Sequence, residues 1–255
     1  MLRYLLGIFT ALLCVAAFVV WTSLPGNVPT TDGTTTGTPA PQSETTDDAG
    51  EDGATLTPKT DDPATTRGLE LNKAAETGNA VMRAEVVPTL GFSMDVPESW
   101  VTLDANGLRR YFSEVQGMTD GAQVNQLIST IVLGTIQRWP ETGGTANVMV
   151  NHRLAPRREV LPILNAMLDQ KRAALQSVEV MSPAAQGQLG PFWGASVRTR
   201  ETSGTGDQAE TREVIFWLLR VGEGYMVISA EAPVGDSQAL ALIEKMLASV
   251  KATGS

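Results

Sequence analysis

Cysteine is nearly absent from this chain: Cys14 is the only one in 255 residues, and it lies within an apolar N-terminal stretch. Whatever follows that stretch must hold together without disulfides. Histidine is equally scarce, with His152 alone. A zinc site needs several histidine, cysteine or carboxylate ligands to converge, so no metal centre is expected. Positive charge is short as well. The 19 Lys and Arg residues face 28 Asp and Glu residues, a net charge of −9 that argues against a nucleic-acid partner. A serine elbow, a P-loop and a HExxH pair are all missing. His152 lies in register with Val148 and Val150 and has no visible nucleophile or orienting partner. These absences imply no cofactor and a role that is not enzymatic.

What is present begins at the N-terminus. Tyr4 to Leu24 is an uncharged apolar run of 21 residues behind Arg3. As a helix it would rise about 31 Å, enough for a hydrocarbon core of roughly 30 Å. A cleavable leader has a shorter apolar run ending at a small-x-small site, whereas Val15-Ala16-Ala17 sits inside this one. An uncleaved signal anchor over 1–24 is favoured over cleavage. Charge places Arg3 and the N-terminus in the cytoplasm and the remainder outside, in the periplasm of a cell envelope.

Residues 25–68 are mostly Thr, Pro, Gly, Asp and Ala, with Val28 and Leu56 as the only large aliphatic side chains and no aromatic. Such a segment buries too little to offset its ordering entropy, and is expected to be a disordered linker. Eight carboxylates against Lys59 and Arg67 leave it a net charge of −6, most of the acidity of the chain. As a flexible coil it would reach roughly 35 to 40 Å. Residues 69–85 form an undefined lead-in, and 86–251 a single globular domain.

Within that domain Phe92, Met94 and Val96 alternate with polar residues, as a half-buried strand does. A second strand is expected at Leu108 to Ser113, after the turn-prone Asn106-Gly107, closing a hairpin. Apolar residues from Val124 to Ile136 recur at three and four positions and predict a helix over 120–139, opened by Asp120. A strand over 146–154 and a helix starting between Arg158 and Pro162 follow. Four strands then read as a meander, near 178–181, 193–201, 213–221 and 225–231. Val214 to Leu219 is apolar on both faces, which requires cover on each side of the sheet. A helix over 236–250 supplies one cover, because Leu240, Ile243, Leu247 and Val250 form a stripe. The expected class is α+β, an antiparallel β-sheet sandwiched between helices.

The order of these elements, the opening Phe92-x-Met94-x-Val96-Pro97-x-x-Trp100, the glycine-marked strand from Gly190 to Gly194 and the meander ending at Gly224-Tyr225 resemble the PsbP-like superfamily. That superfamily includes PsbP and the DcrB-like and LpqN-like envelope proteins. The resemblance implies an α-β-α domain and a protein-binding role in assembling or maintaining an envelope complex. A carrier or chaperone for apolar ligands or hydrophobic segments is the alternative. Candidate partner-binding residues are Trp139 and Trp193, at element ends beside Pro140 and Pro191, and the basic cluster Arg153, Arg157 and Arg158. The partner itself is not identifiable from the sequence.

Overall fold

A computed structural model describes residues 80–140, 145–155, 158–204 and 209–253. The expected anchor, the linker and most of the lead-in lie outside the described residues.

Among the described residues the domain is an α+β fold with two antiparallel sheets. The larger has seven strands: β3 (Val101–Thr102), β4 (Ile131–Ile136), β5 (Asn147–Leu154), β6 (Ser177–Leu189), β7 (Phe192–Ser203), β8 (Glu210–Val221) and β9 (Gly224–Pro233). They lie in the order β3-β4-β5-β9-β8-β7-β6, so the C-terminal half is the expected meander. A smaller sheet, β1-β2-β10, joins β1 (Met82–Val87), β2 (Phe92–Pro97) and β10 (Lys251–Ala252). The start of the globular domain read from the sequence, residue 86, therefore falls inside a strand.

Both faces of the large sheet are covered, as the apolar β8 requires. On one face lie β2 and helix α4 (Ser237–Ala248). Phe92, Met94 and Val96 of β2 are fully buried there, alongside Ile243 and Met246 of α4. Burial of each such side chain stabilises by roughly 1.5–3 kcal/mol. Asp236 caps α4 by accepting from the Ala239 amide at 2.9 Å. This cover is thus a helix together with a three-stranded sheet rather than helices alone. Gly190, in the β6–β7 turn at φ 56°, meets the same layer; a Cβ there would lie 2.2 Å from the Val250 carbonyl oxygen.

The opposite face carries helices. Helix α3 (Val160–Ala174) packs Val160, Leu164 and Leu168 on Val197, Phe216 and Leu218, with Pro162 in its first turn as expected. Lys171 in its last turn bonds Glu201 of β7 at 2.7 Å. Beside it sit α1 (Ala105–Arg110), which continues as a π-helical turn (Tyr111–Val115), and α2 (Gly121–Ile128).

Two expectations fail in this region. Leu108 to Ser113 is helical, not a strand, because the Asp104 side chain caps the Gly107 amide at 2.7 Å and starts a helix through the Asn-Gly pair. Leu108, Tyr111 and Phe112 then share one buried face at i, i+3 and i+4. The helix predicted over 120–139 ends at Ile128. The Ser129 and Thr130 hydroxyls take up the Gln126 and Leu127 carbonyls at 2.7 and 2.8 Å, and the chain turns into β4. Ile131, Val132 and Ile136 are β-branched and lie on that strand.

Candidate functional site

Register builds a polar crevice on the helical face. In the β5–β9 pair Asn147 stands opposite Glu231 and Met149 opposite Ser229. Because side chains alternate, these residues and Asn151 point away from the dry core that Val148, Val150 and Ile228 enter from the same strands. The π turn supplies Tyr111 and Phe112, and Gln116 follows it. Such insertions often mark functional sites, since the wider turn redirects side chains. With Leu127 of α2 and Ile131 of β4 they enclose a crevice of about 50 Å³.

Its polar groups are tied to a buried charge cluster. Ser229 Oγ donates to Glu231 Oε1 at 3.2 Å, and Asn147 Nδ2 to Oε2 at 3.5 Å. Arg212 Nε lies 3.3 Å from Glu231 Oε2 but without hydrogen-bond alignment. The same guanidinium bonds Glu210 at 2.8 Å and donates to the Thr145 carbonyl. The Thr145 hydroxyl is buried without a partner among the described residues. Tyr111 Oη accepts from Gln116 Nε2 at 3.1 Å and from Asn147 Nδ2 at 3.4 Å. Burial pushes the Tyr111 phenol up to about 12, Glu231 adding to the rise and Arg212 opposing it. At neutral pH Tyr111 therefore stays protonated.

Comparison with known proteins leaves this site without an assigned role. No protein-family model matches the chain, and no curated protein matches it. Among solved structures it is similar to a protein from Bacteroides thetaiotaomicron at 13% identity and a TM-score of 0.34. That likeness covers 64% of this chain and 46% of the other, so the chain spans about half of the Bacteroides protein. It is also similar to LpqN of Mycobacterium tuberculosis, described as involved in cell envelope biogenesis. There the identity is 10%, the TM-score 0.39, and the coverage 64% of this chain and 83% of LpqN. Scores of this size assign the chain neither a family nor a role.

The residues singled out from the sequence lie elsewhere. Trp193 is the second residue of β7 and is 38% exposed, with the Arg220 guanidinium 5.4 Å from its ring centre. Arg220 Nη2 donates to the Arg158 carbonyl at 2.9 Å, and Tyr225 Oη donates to the same carbonyl at 2.9 Å. Arg153 stands opposite Tyr225 across β5 and β9. Trp193, Arg153 and Arg158 thus gather at one end of the sheet. Trp139 is at the other end, half-buried, with Arg110 4.4 Å from its ring centre. Arg157 lies outside the described residues. His152 is half-buried opposite Met226, and its amide donates to the Thr130 carbonyl at 2.9 Å. None of these residues lines the crevice. A signal for the crevice was nevertheless present, in the polar Asn147, Asn151, Ser229 and Glu231 that interrupt two otherwise apolar strands.

Proposed function

We propose that this is a single-pass membrane protein whose N-terminal helix anchors an extracytoplasmic, PsbP-like domain. The domain is a non-catalytic binding module that assists assembly or maintenance of an envelope protein complex. The apolar run 4–24 and the acidic segment 25–68 support the anchored placement. The pattern from Phe92 to Trp100 supports the finer fold: its apolar residues are all buried, and the Trp100 amide closes the turn onto Pro97 at 2.9 Å.

One observation carries the binding role. The crevice gathers the buried polar side chains Asn147, Asn151, Ser229 and Glu231 on one sheet face beside the Tyr111 phenol, which keeps its proton at neutral pH. A general acid or base works best with a pKa near the operating pH, so this phenol suits recognition rather than proton transfer. The crevice itself, at about 50 Å³, is small against the roughly 300 Å³ or more of a pocket that encloses an apolar ligand.

The test is cross-linking in intact membranes followed by purification of the full chain. A defined protein partner should be recovered with the native chain and lost with Glu231→Gln, under conditions where α-helical and β circular dichroism are unchanged. Recovery of the chain alone, or a partner indifferent to the substitution, would refute the reading.

A further inference from the structure

We propose that the crevice between the π turn and strands β5 and β9 binds a primary ammonium group on a short alkyl stem. This rests on the binding role above and adds the chemistry of what is bound.

Charge points to a cation. Arg212 is shared between Glu231 at 3.3 Å and Glu210 at 2.8 Å, so two carboxylates and one guanidinium leave an excess negative charge. Glu231 is only 9% exposed, where incomplete compensation is costly. Its present contacts are long, at 3.2 Å from Ser229 and 3.5 Å from Asn147. A charge-assisted bond to a carboxylate closes to about 2.7–2.9 Å, so Glu231 has capacity for a stronger donor.

Size and polarity narrow the class. A water needs about 10–15 Å³ of such space, so a crevice of about 50 Å³ holds roughly three to five water-sized groups, the size of an ammonium with its first carbons. The open acceptors are the Glu231 carboxylate and Ser229 Oγ, because Asn147 turns its Nδ2 to Tyr111 and Glu231 and Asn151 Oδ1 already accepts from Thr130 Oγ1 at 3.3 Å. Phe112 and Leu127 add apolar walls for a stem. An ammonium carries three donors and no acceptor, which matches this set. An anion meets the Glu231 charge, and a neutral amide leaves that charge as it is. The group is either a lysine side chain of a partner protein or a free alkylamine.

Met149 lines the crevice, whereas Met94, Met226 and Met246 lie in the opposite core and report on folding. The experiment uses the full chain in detergent micelles, labelled at the methionine methyl carbons and titrated with n-propylammonium. n-Propanol and potassium at equal ionic strength are the controls. A lysine-bearing tetrapeptide and its glutamine analogue form a separate arm. The Met149 methyl is expected to shift saturably with n-propylammonium alone among the small probes. Glu231→Gln should weaken that response about thirtyfold or more. Asn151→Leu serves if the first variant loses its core methionine signals, and should weaken it about threefold or more.

Binding of the lysine peptide as well assigns the group to a protein side chain, and binding of the amine alone assigns it to a small molecule. An equal response to n-propanol or potassium, no saturable shift, or unchanged affinity in the folded variants overturns the proposal. If Met149 stays silent while partner recovery still depends on Glu231, the ammonium assignment falls and the binding role stands.

Discussion

Strands β5 and β9 have two faces, both buried and opposite in character. One enters the dry core beneath β2 and α4, with Val148, Val150, Met226 and Ile228 all fully buried. The other, one residue out of phase, carries Asn147, Asn151, Ser229 and Glu231, each less than a tenth exposed. Burial does not distinguish the two faces; composition does. Replacing a buried ion pair by packed apolar residues is often neutral or stabilising, so stability alone does not account for the polar face. The difference teaches that the dry face suffices to hold the fold, while the polar face is the one on which the proposed binding rests.

The comparison breaks most visibly at Arg212. Arg212→Met alone leaves Glu231 uncompensated and is expected to cost about 3–5 kcal/mol in urea unfolding followed by tryptophan fluorescence. Adding Glu231→Leu should recover most of that loss. A double variant as unstable as the single one would mean that the polar face is structural after all.

The next effect is alkaline. The Tyr111 phenol is raised from 10.0 to about 12 in the folded protein, so folding holds a proton that the unfolded chain releases earlier. Its contribution is complete below the unfolded value and is lost as pH rises through the folded one, roughly 2–3 kcal/mol in total. Tyr111→Phe should remove that part of the alkaline slope, measured by unfolding at a series of pH values. An unchanged slope would place the buried phenol proton elsewhere.

The smallest effect sharpens the contrast from the dry side. Ile228→Val should cost about 0.5–1.5 kcal/mol and leave partner recovery untouched. Loss of the partner at that modest cost in stability would show that the two faces do not act separately.

Much of the fold was legible because it depends on local pattern. The alternation of Phe92, Met94 and Val96 is a buried strand, and the two-sided apolarity of β8 is matched by cover on both faces. Ile243 and Leu247 of the expected stripe are buried on α4, while Leu240 is half-buried and Val250 lies beyond the helix. The region from Leu103 to Ile136 was misread where two local signals compete. Asn106-Gly107 reads as a turn until Asp104 caps the helix through it. Ile131 and Val132 continue the spacing of α2, yet pairing with β5 decides their conformation. The crevice as a whole was not legible, because its walls come from five elements spread from Tyr111 to Glu231. Asn147 and Glu231 are 84 residues apart and meet only through strand pairing.

By itself the sequence determined the apolar N-terminal run, the acidic low-complexity segment, a disulfide-free domain and the α+β class, all properties of composition or of short-range periodicity. Tertiary structure decided which face of β5 and β9 is dry, that the helix after Asp104 widens into a π turn, and that Arg212, Glu231 and Tyr111 share one buried cluster. These are matters of register and long-range packing. A one-residue slip in pairing would exchange the two faces without altering the sequence.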